Sequence, residues 1–128
     1  MDILEFLGCK TKIEDIDAIL LVKFWEEDDS FRFQKIEIRD GIRELVAALE
    51  PGRKKTLFQA AGSTHKYNLI FKSQGKEVAR STVVCGAINN GRWFFWVELK
   101  NKETTSILDE KLVGVEIEKP TLDDLPID

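Results

Sequence analysis

The sequence predicts an α+β domain in which a mainly antiparallel sheet of about six strands packs against one main helix, residues 40–49. The clearest helical periodicity lies in those residues. Apolar runs and alternations typical of strands precede and follow it. Strands grouped around one helix favour an antiparallel sheet with the helix on one face, in the order β-β-α-β-β-β-β. Shorter helical turns are predicted at residues 2–7 and 11–17.

The length and composition predict one globular domain, 1–128, whose last residues, 119–128, form an extended acidic tail. Hydrophobic residues make up 43% of the chain and charged residues 33%, as in ordered globular proteins. The longest apolar run, 18–22, is far shorter than the about 20 residues of a membrane helix. The first residues are acidic where a secretory signal is basic. We therefore expect a cytoplasmic protein with no membrane segment.

The first half of the sequence predicts two strands before the main helix. Residues 18–25 are almost all apolar, which indicates a strand buried on both faces. Residues 26–30 predict a hairpin loop. In the second strand, 31–39, the apolar spacing shifts by one position near Gln34, which predicts a β-bulge, with an edge or two-faced strand as the alternative. Asp40 is the predicted helix cap. The apolar stripe of the helix is Ile42, Leu45, Val46 and Leu49.

The second half of the sequence predicts further strands. They are expected around residues 67–71, 78–87, 92–100 and 112–118. Asn89, Asn90 and Gly91 predict a tight hairpin, because Asn-Gly accepts the positive φ angles of a type I′ turn. Cys85 falls in an apolar run, so it is predicted to be a buried strand thiol.

The charges of the sequence fall into three blocks. Residues 1–30 carry a net charge of −6, residues 31–100 carry +7, and residues 101–128 carry −5. This layout is typical of a protein that presents charged faces to a partner. The sequence leaves open whether the acidic ends fold back onto the basic middle.

The sequence contains no evident catalytic or metal-binding set. Cys85 and His65 lie on separate predicted elements, and no signature joins them into a nucleophilic pair. The Cys and His spacing does not fit zinc, and residues 26–29 lack the alternating ligands of a calcium loop. We therefore expect no enzyme, no cofactor and no metal. An enzyme that uses Cys85 or a pair of carboxylates is the third hypothesis.

The leading hypothesis is a small acidic protein-binding domain. The most specific version of this hypothesis is a bacterial immunity or antitoxin-type inhibitor that occludes a basic toxin enzyme. Acidic charges on such an inhibitor would accelerate its association with a cationic active site. Aromatic side chains would fill apolar pockets of the partner. The predicted partner-binding residues are Trp25, Glu26, Glu27, Asp28, Asp29, Phe94 and Trp96. Phe94 and Trp96 are either exposed or covered by a second layer of chain, and the sequence leaves both alternatives open.

A single-stranded nucleic-acid-binding domain is the alternative. A basic cluster and an aromatic strand beside a cation are typical of surfaces that hold phosphates and stack bases. The residues predicted for this role are Arg53, Lys54, Lys55, Arg92 and Trp93, with Trp96 beside them. The acidic ends of the chain disfavour it, because they repel the phosphate backbone.

Overall fold

A computed structural model describes residues 1–54, 65–90 and 95–119, and these residues form a seven-stranded antiparallel sheet with helices packed on one face. The strands are β1 (Ala18–Glu27), β2 (Ser30–Ile38), β3 (Pro51–Lys54), β4 (Lys66–Ser73), β5 (Lys76–Val84), β6 (Ala87–Asn89) and β7 (Trp96–Leu99). The helices are α1 (Ile3–Phe6), α2 (Ile42–Ala48) and α3 (Thr104–Lys111), with a 3-10 turn at Ile13–Asp15. The strand order in the sheet is β2-β1-β4-β5-β6-β7-β3. The predicted α+β class with one main helix is confirmed.

The core lies between one face of the sheet and the helices. Alternate residues of β1 and β4 point into it, and the register places Ile19 opposite Phe71 and Leu21 opposite Leu69. All four side chains are fully buried, at 0% exposure. The apolar run predicted to be a strand is β1, which lies inside the sheet between β2 and β4. The predicted burial on both faces is wrong, because Leu20, Val22 and Phe24 on the face away from the helices are half-buried.

Helix α2 presents the predicted stripe to this core. Leu45, Val46 and Leu49 are buried, and Ile42 packs at the margin of the cluster. The predicted cap is wrong, because Gly41 occupies the N-cap position with a φ of +72° and no side chain caps the helix. This left-handed backbone conformation favours glycine at the cap. The helix begins at Ile42, two residues after the predicted start.

The predicted β-bulge in β2 is wrong, and the two-faced alternative is the one observed. The β1–β2 pairing runs without a register shift over its whole length. Ile36 and Ile38 face the helices, whereas Phe33 is buried on the opposite face of the sheet. Phe33 also exchanges two backbone hydrogen bonds of 2.8 Å with Glu118, which covers part of the open edge of β2.

The predicted strand at 112–118 is also wrong. Within it the structure shows one isolated bridge, at Glu118, and a helix, α3, precedes it. Leu108 and Leu112 lie one helical turn apart and are both buried, which packs α3 against the core. Gly114, with a φ of +83°, then turns the chain. Apolar residues on both sides of this turn have the alternating spacing of a strand, and this explains why the sequence predicted one.

Three hairpins of the described sheet have two-residue turns in which both central residues have positive φ, as in a type I′ turn. The turns are Asp28–Asp29 (52° and 59°), Gln74–Gly75 (52° and 77°) and Cys85–Gly86 (51° and 75°). The prediction of a buried Cys85 is wrong, because the turn exposes this side chain between β5 and β6. The hairpin predicted at residues 89–91 extends outside the described residues.

We expect the double variant Asp28→Asn, Asp29→Gly to stabilise the fold. Asn and Gly tolerate positive φ better than Asp does, and the expected gain is about 1 kcal/mol in the free energy of unfolding. Urea denaturation measures it. Gln74→Asn, at the other end of the sheet, should give a smaller gain by the same mechanism. A loss of stability in the Asp28/Asp29 variant would contradict the turn assignment.

We expect Thr104→Val to destabilise the contact between α3 and α2. The buried Thr104 hydroxyl donates to the carbonyl of Ala48 at 2.6 Å, and that carbonyl belongs to the last turn of α2. An unsatisfied buried carbonyl costs about 2 kcal/mol. Thr104→Ser keeps the hydroxyl, so its cost should not exceed about 1 kcal/mol for the lost methyl group. Equal stability of the Val variant and the wild type in urea would refute this role.

Candidate partner-binding site

The β1–β2 hairpin extends beyond the strand next to it. The pairing of β1 with β4 ends at Phe24 opposite Lys66, whereas its pairing with β2 continues to Glu27 opposite Ser30. Residues 25–32 therefore form a two-stranded ribbon, and we refer to them as the ribbon. At about 3.3 Å per residue, it extends roughly 10 Å past the end of β4. Its tip is the Asp28–Asp29 turn.

The acidic residues predicted to bind a partner lie at the end of the ribbon. Glu26, Glu27, Asp28 and Asp29 are all exposed. Within the described part of the chain none of these four carboxylates forms a salt bridge. Another acid of the N-terminal block, Glu14, lies 3.5 Å from Arg43 of the basic middle. The negative charge at the ribbon tip therefore faces solvent.

Trp25 lies on the face of the ribbon that looks toward the helices. Its side chain is half-buried, and its indole Nε1 donates to Glu27 Oε2 at 3.3 Å. The His65 imidazole packs on the indole with 5.5 Å between ring centroids and 36° between planes. Sequence reasoning missed this contact. It depends on the register of β1 with β4, which brings residue 65 beside Trp25.

A partly buried polar cluster lies beneath Trp25, and we call it the anchor. Lys23 Nζ lies 2.8 Å from Asp109 Oδ1, and Tyr67 Oη donates to the same oxygen at 2.7 Å. The Lys23 ammonium also lies 5.4 Å from the ring centroids of both Tyr67 and Trp25. The anchor thus links α3 to β1 and β4. No sequence signal marked it, because Asp109 is 86 positions from Lys23.

The anchor holds its groups in defined protonation states. Burial raises the pKa of Tyr67, and the hydrogen bond to the Asp109 carboxylate and its negative charge raise it further. Burial also raises the pKa of Asp109, but hydrogen bonds from Lys23 and Tyr67 outweigh this effect and place the pKa below its ordinary value of 3.8. Near neutral pH Tyr67 is therefore a protonated phenol and Asp109 is a carboxylate.

The structure does not bring Trp96 to the ribbon. Its side chain is 4% exposed and packs with Val84 and Ala87, and three strands separate β7 from β1. The covered alternative therefore holds for Trp96. Phe94 lies outside the described residues.

Part of the alternative nucleic-acid surface lies at the opposite edge of the sheet. Arg53 belongs to the edge strand β3, its side chain is 91% exposed, and its guanidinium lies 3.9 Å from Glu98. Lys54 ends the same strand. Lys55, Arg92 and Trp93 lie outside the described residues, so this alternative stays a prediction.

Metal-binding clusters and membrane helices are both absent from the described ranges. Residues 1–54, 65–90 and 95–119 contain no group of three or more His, Cys, Asp or Glu side chains that could hold a metal ion. None of the helices in the same ranges is long and apolar enough to cross a membrane.

We expect Asp109→Asn to weaken the anchor and to lower the free energy of unfolding by about 1 kcal/mol, because Lys23 and Tyr67 lose a charged acceptor whose 45% exposure lets solvent screen the ion pair. Since the pKa of Asp109 is lowered on folding, its contribution is complete above 3.8 and disappears as the pH falls through the folded pKa. The difference from wild type should therefore shrink as the pH falls below about 5.

Urea denaturation across this pH range measures the effect. Glu110→Gln is the matched control, because Glu110 is the next residue of the same helix and is exposed. It should change the free energy of unfolding by less than about 0.5 kcal/mol. An Asp109→Asn difference that does not depend on pH would contradict the ion pair.

Comparison with protein-family models, with curated proteins and with solved structures finds no match for this chain.

Proposed function

We propose that this chain is a protein-binding domain whose ribbon binds a basic protein. In the most specific version of this proposal, the chain is an immunity or antitoxin-type inhibitor that occludes the cationic active site of a toxin enzyme. One observation carries the proposal. The ribbon extends past its neighbouring strand and ends in four exposed carboxylates without salt bridges in the described chain, next to the half-buried Trp25.

Electrostatics support a basic partner. The carboxylates of residues 26–29 repel one another, and this repulsion is relieved when cations of a partner approach. Charges on an exposed tip also steer a diffusing partner, and this steering weakens as salt screens charges beyond about 10 Å at 0.1 M. Binding should therefore be fast at low salt and sensitive to ionic strength.

The anchor supports the same conclusion. The ion pair and hydrogen bonds of Lys23, Tyr67 and Asp109 hold the strand below Trp25, and His65 packs on its indole. An aromatic side chain that is already ordered loses little entropy when a partner covers it. Tryptophan is also enriched among the residues that dominate binding energy at interfaces.

We expect neutralisation of the tip to slow binding while the fold stays intact. The variant changes Glu26→Gln, Glu27→Gln, Asp28→Asn and Asp29→Asn. Tagged wild-type protein, incubated at low salt with an extract of its own cells, should retain one basic protein in stoichiometric amount and release it when salt is added. The variant should associate with that protein at least about 10-fold more slowly, because steering is lost.

The matched control neutralises four exposed acids outside the ribbon and carries the same change in net charge. These residues are Glu5, Asp15, Glu110 and Glu116. The control should bind like wild type. Equal binding by the tip variant, or recovery of nucleic acid in place of protein, would refute the proposal.

A further inference from the structure

The face of the sheet away from the helices carries apolar side chains across β1 and β4, and we call this face the outer face. Leu20, Val22 and Phe24 point to it, because they alternate with the core residues of β1. Ile70 of β4 stands opposite Leu20 on the same side. We refer to these four residues as the outer strip. All four are half-buried, so the strip has apolar surface left to bury against a further segment.

The burial of Phe33 indicates that chain covers the outer face at the edge of the sheet. Phe33 stands opposite Phe24 on this face, and its strand, β2, forms one edge. An edge residue has a neighbouring strand on one side only, yet Phe33 is 6% exposed. Phe31, two residues away on the same face, is 49% exposed. The cover therefore lies over Phe33 and does not extend to the ribbon.

The chain that reaches this edge is the segment around Glu118. Glu118 exchanges two backbone hydrogen bonds of 2.8 Å with Phe33. In an antiparallel pair the next such exchange would join Phe31 to position 120, which is a proline and has no N–H to donate. The Phe31 carbonyl accepts a hydrogen bond from Arg32 Nη1 at 3.2 Å. Pairing along β2 therefore cannot continue through position 120.

Ammonium groups flank the outer strip. The Lys66 Nζ atom lies 5.7 Å from the ring centroid of Phe24. The Lys35 Nζ atom lies 5.8 Å from the ring centroid of Phe33, and Lys35 forms no salt bridge within the described part of the chain. The outer face thus combines apolar surface with positive charge, and it is complementary to a segment that is both apolar and acidic.

Residues 120–128, which lie outside the described residues, have this composition. They contain Leu122, Leu125, Ile127 and three aspartates, and they contain no Lys or Arg. When extended at about 3.3 Å per residue, they can span roughly 30 Å, whereas β2, β1 and β4 together measure about 10 Å across the strands. A segment that starts beside Glu118 is therefore long enough to cross the outer strip.

We infer that residues 120–128 dock on the outer face, with their apolar side chains on the outer strip and their aspartates beside Lys35 and Lys66. Burial of apolar surface supplies most of the stabilisation, because ion pairs at a solvent-exposed face contribute little. In this arrangement one acidic end of the chain folds back onto its basic middle. The inference goes beyond the proposed function, because the docked segment does not involve the ribbon tip.

Photo-crosslinking of the purified full-length protein tests the contact. The probe is a benzophenone amino acid at position 125, and mass spectrometry identifies the crosslinked residues. We expect crosslinks within one chain to residues of the outer strip. Position 113 is the control, because Val113 follows α3 and is 81% exposed. A probe there should not crosslink to the strip.

Substitution of the apolar residues gives a second measurement. The full-length variant Leu122→Ser, Leu125→Ser, Ile127→Ser should leave the outer strip uncovered. It should therefore bind the apolar dye anilinonaphthalene sulfonate more strongly than wild type and unfold at a lower urea concentration. Val113→Ser is the matched control, because it also replaces an apolar side chain outside the core. It should change neither dye binding nor the urea midpoint.

Each outcome decides the inference. Crosslinks from position 125 to the outer strip, together with increased dye binding by the serine variant, would support it. Crosslinks to the helices, crosslinks between two copies of the chain, or no crosslinks would overturn it. Unchanged dye binding by the serine variant would overturn it as well. Neither measurement uses a partner protein, so failure here leaves the proposed function of the ribbon in place.

Discussion

The register of β1 against its two neighbouring strands is the constraint on which the candidate site depends. It places Lys23 beside Tyr67 and directs Trp25 toward His65 on one face. On the other face it places Glu26 opposite Phe31. A slip of one residue would exchange the faces, and it would move the fully buried core residues of β1 into solvent. The apolar core therefore enforces the arrangement of the polar and aromatic residues at the ribbon.

Stability and the proposed binding make opposite demands on the ribbon tip. The core and the anchor stabilise the strands below it, whereas the acidic turn combines like charges with positive φ at Asp28 and Asp29. This division is consistent with the proposed function, in which a rigid scaffold positions an exposed acidic turn. The anchor joins the two parts, because it ties α3 to the strands that support Trp25.

The candidate site was predictable only in part. The run of acids after an apolar strand identified residues 26–29 and Trp25 without any tertiary information. Phe31 had the pattern of an ordinary strand residue in the sequence, and its exposure follows from the extension of β2 past β4. His65 and Asp109 carried no local signal. Their roles arise from contacts between distant segments, which hydrophobic periodicity does not report.

The sequence by itself determined the elements whose signals are local. These are the apolar stripe of α2, the apolar run of β1, the α+β class and the acidic ribbon tip. Only the tertiary structure decided that Cys85 is exposed in a turn, that Trp96 is covered and that residues 112–118 do not form a strand. Apolar residues look alike in a strand, in a turn between strands and at the end of a helix. Which of these they form depends on where the chain reverses and on what packs against it, and both are set by long-range pairing.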